Sequence, residues 1–270
     1  MGNISSIGLA RKARISVLQM IYRSQCSHIG SAFSSVDILS VLYADFMKIN
    51  PEKPDDPERD RFILSKGHAC SALYAILAET GYFNKQLLET YAQNNSILMS
   101  HISSQVPGVE FSTGSLGHGL PVGVGLAIAA KRKKQKHKII VLMSDGELNA
   151  GSNFEAIMFA AQHRLDNLYA VIDVNKLQAM GFTSSIIDLE PLEEKFKVFK
   201  WNSRRGNGHD HDFISSCLKE LSQDLSPYPK VFIADTVKGK GISFMENRLE
   251  WHYKSPSIED FKKGMNELGE

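Results

Sequence analysis

The chain has 270 residues, 43% of them hydrophobic, and a formal net charge of +1. That is enough apolar content for a sizeable core, and the balanced charge excludes a global field that would draw nucleic acid or membrane. No run approaches a transmembrane span, no signal peptide opens the chain, and three scattered cysteines (Cys26, Cys70, Cys217) without a CxxC pair suit reduced thiols in a cytoplasmic protein.

At the start, MGNISS fits the loose acylation pattern at Gly2. Ile7, Ile15, Leu18, Ile21 and Tyr22 recur at near-helical spacing and predict a helix over 5–25. Cys26, near His28, reads as a small packed thiol before it reads as a nucleophile. SSVDILSVLYADFMK predicts a second helix with Ser34 or Ser35 as its N-cap. NPEKPDDPERD is a loop, RFILS a short strand, ACSALYAILAET a helix stopped by Gly81, and NKQLLETYAQ a helix capped by Asn84. Residues 94–118 are polar and irregular, and so long a loop inside a domain is usually functional.

A Gly-rich helix follows, GSLGHGLPVGVGLAIAAK. Its Gly117, Gly119, Gly123 spacing does not match a dinucleotide fingerprint and reads as tight helix packing plus a turn. The basic run KRKKQKHK (131–138) reads as the solvated end of that helix, where cations suit the helix dipole. The strand KIIVLM then meets the turn SDG, and SNFEAIMFAAQHR predicts a helix with Ser152 and Glu155 as a capping box. LYAVIDVN is a strand, and a short helix lies around LEEKFKVF. In GHDHD (208–212), Asp210 or Asp212 is placed to cap the helix DFISSCLKEL; chelation of zinc by His209 and His211 is the weaker reading, for want of a third ligand. KVFIADTV is the last strand, and the tail from Lys238 reads as mostly irregular.

Continuous apolar strands alternating with helices predict an α/β fold: one three-layer, doubly wound domain over 1–270, with a mostly parallel sheet and helices on both faces. Ligands of such sheets bind beyond the carboxyl ends of the strands. Asp145 and Asn175 sit at two such ends, which a right-handed βαβ unit can make neighbours. A carboxylate and an amide oxygen are hard donors suited to magnesium or calcium, and Gly146 lets a phosphate approach the backbone. Spacing alone leaves this open against a plain turn and cap. His28, His68 and His101 lie in SHIGS, SKGHACS and MSHISS. Three such loop-like contexts suggest a shared cleft for proton transfer or anion binding, although a lone histidine is more often structural.

The stretch SDGELNAGSNFEAIMFAAQHRLDNLYAVIDVNKLQ resembles the thiamine-diphosphate signature of transketolases, a GDG turn followed some thirty residues later by Asn. SHIGS, RDRFILSKGHACSALYA, VEFSTGSLGHGL and DTVKGKGISFMENRLEWHYKSP resemble further segments of that family in the same order, so the likeness covers nearly the whole chain. The resemblance implies the thiamine-diphosphate-binding fold and the N-terminal subunit of a split transketolase, which transfers a two-carbon ketol unit from a ketose phosphate to an aldose phosphate. It implies a second polypeptide carrying the pyrimidine-binding and C-terminal domains, in an α2β2 assembly. By motif, Asp145, Asn175 and the Leu177 carbonyl would hold magnesium or calcium. Gly146, Glu147, Asn175, His68 and His252 would contact the diphosphate side of thiamine diphosphate, and Gly114 and Leu116 the aminopyrimidine. His28, His101 and His68 would be the catalytic histidines, with Lys238 and Lys240 as weaker anion contacts.

Four sites depart from the family pattern. Ser144 replaces the first Gly of GDG, His118 a usual Gln, Ser100-His101-Ile102 a Gly-His-Pro, and Ala150 a Glu that links paired active sites. The His101 departure admits a specialised carboligase acting on an unusual biosynthetic sugar or acyl acceptor. Ser144 and Ala150 admit a non-catalytic binding or regulatory subunit.

Overall fold

Five strands form one sheet: β1 (Arg61–Leu64), β2 (Ile139–Ser144), β3 (Leu168–Val174), β4 (Asn202–Asn207) and β5 (Lys230–Asp235). Their order is β1-β2-β3-β5-β4 and every pairing is parallel. The computed structural model describes residues 4–270, so the Gly2 acylation pattern lies outside the described residues. In chain order the helices are α1 (Ser6–Ser24), α2 (Ile29–Val41), α3 (Cys70–Glu79), α4 (Gly119–Arg132), α5 (Gly151–Gln162), α6 (Thr183–Ile186), α7 (Leu192–Val198), α8 (His211–Gln223) and α9 (Ile258–Glu267).

Strands β1, β2, β3 and β5 are apolar on both faces because both are covered. On β2, Ile140 and Leu142 join a core with α1, α2, α3 and α8, while Ile139, Val141 and Met143 join another with α4, α5 and α7. Handedness explains the division. The sheet advances from β1 through β2 and β3 out to β4, and right-handed crossovers leave α4, α5 and α7 on one face. The return step from β4 to β5 reverses direction and delivers α8 to the other face. The Gly-rich helix α4 serves packing: a Cβ on Gly123 would meet Val141 Cγ2 at 2.6 Å, so only glycine lets the helix lie this close to β2.

Several local expectations are corrected. Helix α2 starts five residues before Ser34, with His28 as its N-cap in a left-handed conformation (φ 74°). Ser34 and Ser35 lie inside it, and the Ser35 hydroxyl donates to the Ser31 carbonyl (2.8 Å). Residues 29–46 do reach membrane-spanning length and hydropathy, but 83% of that window is buried in the core. The Asn84-capped helix is a 3-10 helix, Lys85–Thr90. Helix α5 has Ala150 at its N-cap without a side-chain bond, and Ser152 Oγ donates to the Gly117 carbonyl (2.7 Å). The unexpected strand β4 is a polar edge strand, with Arg205 paired to Glu190 and Asp235. The tail is less irregular than expected, since α9 carries a Ser257–Asp260 capping box and packs on α1.

The GHDHD segment has a structural role. Asp210 Oδ1 accepts from Phe213 N (3.0 Å) and caps α8. His209 and His211 both turn to buried Asp37 (2.7 and 3.1 Å), which also takes a bidentate pair from Arg14 (2.9 and 2.6 Å). Among the described residues no group of three His, Cys, Asp or Glu side chains is placed to hold a metal ion. Burial would raise the Asp37 pKa, but the two histidines and Arg14 hold it well below the usual carboxylate range. Val237 N donates to His209 Nε2 (2.8 Å) and Arg14 Nε to the Lys240 carbonyl (3.0 Å), so this hub ties α1, α2 and the start of α8 to the segment after β5. Asp37→Ala would leave Arg14 buried without its partner and should cost about 3–5 kcal/mol, read by urea unfolding.

Candidate functional site

The carboxyl ends of β2 and β3 lie side by side, with Ser144 opposite Asp173. A cavity of about 280 Å³ opens above them. Asp145, Gly146, Asn175 and Leu177 form its floor. His28, His68, His101 and His252 stand along one wall, and Gly114 and Leu116 reach it from the long irregular loop. Ten of the residues singled out from 28 to 252 therefore converge on one place, Glu147, Lys238 and Lys240 are not among its lining, and Ser31, Ser144, Gln178, Ala179 and Tyr253 join the ten.

Asp145 is 5% exposed and its carboxylate accepts only backbone donors, Gly146 N and Lys176 N, each at 2.7 Å. Lys176 adopts a left-handed conformation (φ 65°), where the chain turns sharply between Asn175 and Leu177. Burial, then repulsion from Asp173, pushes the Asp145 pKa up to about 6. A buried carboxylate with no bonded cation, beside an amide oxygen and a carbonyl, fits a hard divalent ion. Asn175 Nδ2 donates to Ser34 Oγ (3.3 Å) and Oδ1 accepts from Leu177 N (3.2 Å), which leaves that amide oxygen one further lone pair.

Behind this floor lies a pair that sequence reasoning missed. Lys66 and Asp173 are both fully buried and form an ion pair. Lys66 Nζ also donates to the Ser31 carbonyl (3.0 Å). Asp173 further accepts from Ser34 Oγ (2.6 Å) and from Thr236 Oγ1. Burial would raise the Asp173 pKa; Lys66 and these donors outweigh it and keep it low. The available signal was a carboxylate inside the apolar strand LYAVIDV, which needs a partner to be tolerated.

The histidines form a cluster, with His28 centred 5.2 Å from His68, 5.8 Å from His101 and 5.1 Å from His252. Burial, then the nearby His101 and Lys238, lowers the His28 pKa to about 4. Burial, with Lys238 next, lowers His252 to about 3, and burial also takes His68 well below its ordinary value. These three rings are thus neutral at neutral pH, each keeping a nitrogen that can accept a proton.

Glu147 does not reach the cavity. It is buried beneath it, where Oε1 accepts from Ser65 Oγ and Gly117 N (2.9 Å) and Oε2 from Ser144 N (3.3 Å). Its carboxylate closes the turn and pins the loop at Gly117, which rules out a direct diphosphate contact by that side chain. Ser144 fits without strain, its Oγ accepting from Glu147 N (3.3 Å). Ala150 faces Gly117 so closely that a Cβ on Gly117 would lie 2.5 Å from the alanine Cβ. Lys240 lies away from the cavity, paired with Glu246 at 3.3 Å.

Comparison with known proteins gives the class first. Residues 7–269 match the family model described as the thiamine diphosphate binding domain of transketolase. The chain belongs to the transketolase family, as an N-terminal, diphosphate-binding subunit of the split type. It is 39% identical to one subunit of an apulose-4-phosphate transketolase from Phocaeicola vulgatus, over 97% of this chain and 92% of that one. A 6-deoxy-6-sulfo-D-fructose transketolase subunit from a Clostridium species is 39% identical over 93% and 91% of the two chains. The crystal structure of transketolase from Campylobacter jejuni superposes with a TM-score of 0.91 at 31% identity, covering 97% of this chain but 42% of that one.

The raised Asp145 pKa has a thermodynamic consequence. A folded-state pKa above the unfolded one means stability that is full below the ordinary value of 3.8 and lost as pH rises through about 6. In metal-free protein, Asp145→Asn should therefore match wild type near the acid end of that window. At neutral pH it should be more stable by about 1–3 kcal/mol. Chemical unfolding at several pH values checks this. The same variant should lose all stabilisation by thiamine diphosphate with magnesium, read by thermal shift.

Proposed function

We propose that this chain is the diphosphate-binding subunit of a thiamine-diphosphate-dependent transketolase that moves a two-carbon ketol unit from a ketose phosphate to an aldose phosphate. It acts with a second polypeptide carrying the pyrimidine-binding and C-terminal domains, in an α2β2 assembly. The observation that carries this reading is the convergence of Asp145, Asn175, the Leu177 carbonyl and four histidines in one cavity. Relatives that this chain covers over 92% and 91% of their length are named as transketolase subunits, which supports action with a second chain.

In this reading Asp145, Asn175 and Leu177 hold magnesium or calcium, and Gly146, His68 and His252 face the diphosphate. Gly114 and Leu116 line the aminopyrimidine. Bound thiamine diphosphate supplies a nucleophilic carbon and an electron sink. The chain supplies orientation and proton transfer. His28 is neutral and fixed at the N-terminus of α2 by its backbone bond to the His252 carbonyl (2.8 Å). A ring nitrogen of His28 or His101 accepts the proton of a substrate hydroxyl as the carbon–carbon bond breaks and returns it on addition to the acceptor.

A second reading, a carboligase specialised for an unusual sugar, is favoured by Ser100-His101-Ile102 and by the split relatives named for apulose 4-phosphate and sulfofructose. The test is to reconstitute the chain with its partner, thiamine diphosphate and magnesium, and to assay xylulose 5-phosphate with ribose 5-phosphate. Robust turnover supports the general transketolase; turnover confined to a less common ketose supports the specialised enzyme. Cofactor binding without any ketol transfer would leave a non-catalytic subunit. His101→Ala should lower kcat by about a hundredfold while thiamine diphosphate affinity, measured by calorimetry, stays near wild type.

A further inference from the structure

Tyr253 lines the cavity but has no part in the steps described above. Its side chain belongs to a residue 63% exposed, although the chain around it is firmly held. On one side the His252 carbonyl accepts from His28 N (2.8 Å). Buried Trp251 anchors the same turn, its Nε1 donating to the Phe244 carbonyl (3.1 Å). On the other side Ser255 Oγ lies 2.8 Å from the carbonyls of both Gln25 and Cys26. Tyr253 N itself donates to the Glu250 carbonyl (3.1 Å). The backbone of Tyr253 is thus fixed against the connection between α1 and α2. Its ring is centred 4.7 Å from that of His252 and 5.9 Å from that of His28, edge to face with each. Its hydroxyl has no hydrogen-bond partner among the described residues. Tyrosine offers a large contact area with only two side-chain torsions to hold, so little entropy is lost when something packs on it.

His28 is one of the two rings assigned above to proton transfer with the substrate. Tyr253 touches it and is the more exposed of the pair, so it lies on the solvent side of that histidine. An acceptor aldehyde whose carbonyl oxygen takes its proton at His28 therefore has its following carbons towards Tyr253. A sugar chain shows C–H bonds on one side and hydroxyls on another, which suits the apolar face and polar tip of a tyrosine. The position offers no charge. Lys254, next in the chain, is turned to Asp260 (3.3 Å) and lies over the Trp251 ring at 4.2 Å. Resting on the function proposed above, we propose that Tyr253 is a specificity residue of the ketol transfer: it reads the uncharged, hydroxylated carbons of the acceptor beyond the carbonyl that reacts. The ring packs on their C–H bonds and the phenol hydroxyl bonds one of their hydroxyls. Tyr253 selects acceptors by the length and hydroxylation of their chain, and it leaves phosphate recognition to other groups.

The test uses the complex of this chain with its partner subunit, loaded with thiamine diphosphate and magnesium, and the ketol donor that supports turnover in the assay above. kcat and KM are measured for two unphosphorylated acceptors. Glycolaldehyde ends at the first carbon after its carbonyl, and erythrose continues along a hydroxylated chain. Wild type should have the higher kcat/KM with erythrose. Tyr253→Phe should lower the erythrose-to-glycolaldehyde ratio of kcat/KM about fivefold, the size of one neutral hydrogen bond. Tyr253→Ala should lower it about tenfold or more, since the ring contact goes as well. Both losses should appear in the KM for erythrose rather than in kcat. Circular dichroism and size-exclusion chromatography report folding and assembly, and Tyr253→Phe, which keeps the ring, decides the matter if Tyr253→Ala does not assemble. A structural role would lower turnover of both acceptors alike. Such a parallel loss, or an unchanged ratio in Tyr253→Phe, overturns the proposal. A wild-type complex that transfers no ketol unit from any donor overturns the function proposed above along with it; wild-type transfer with an unchanged ratio in the variant overturns only the role of Tyr253.

Discussion

The buried pair of Lys66 and Asp173 is the interaction on which the site is built. Two charges withdrawn from water are costly unless they meet in good geometry with their remaining groups bonded. Here those remaining bonds go to the structure around them. Lys66, just after β1, reaches the Ser31 carbonyl at the start of α2, and Asp173, at the end of β3, takes Ser34 of α2 and Thr236 beyond β5. One ion pair thus fixes three strand ends and a helix relative to each other. Asn175 then rests on Ser34, so the amide that faces the cavity is oriented from behind by the same pair.

That arrangement sets the electrostatics of the cavity. Asp173 is neutralised by Lys66, but it still lies close enough to Asp145 to raise its pKa. The floor therefore carries a carboxylate that lacks a counter-charge, while the wall carries histidines that burial keeps neutral. A protein built only for stability would pair Asp145 with a lysine. Lys66 is committed to Asp173, and Lys238 bonds instead to the carbonyl two residues beyond Asn175, and to a histidine. A carboxylate without a bonded counter-charge at the floor of a cavity is the mark of a site shaped for a ligand that brings the missing charge.

The Asp37 hub plays the matching structural part on the far side of α2. It gathers four donors from Arg14, His209 and His211, and every one of those side chains is inward-facing. Through Val237 N and the Lys240 carbonyl it steadies the segment in which Lys238 lies. The GHDHD motif thereby serves the site indirectly, by holding the chain that carries the buried lysine.

Much of this was legible in the residues themselves. Continuous apolar runs marked four of the strands, because a strand buried on both faces has no polar alternation to keep. Alternation with helices then implied a parallel sheet, and Asp145 stood out as a carboxylate at the mouth of such a strand. Strand β4 was hidden because an edge strand can be as polar as a loop, and α9 because its few apolar residues follow a stretch rich in turns. Only the tertiary structure decided which charges meet. Lys66 and Asp173 are 107 residues apart in the chain, and Lys238 and Leu177 are 61 apart. Periodicity and composition are local signals. The pairing of buried charges depends on where the sheet order and the handed crossovers bring distant strand ends together, and no local pattern records that.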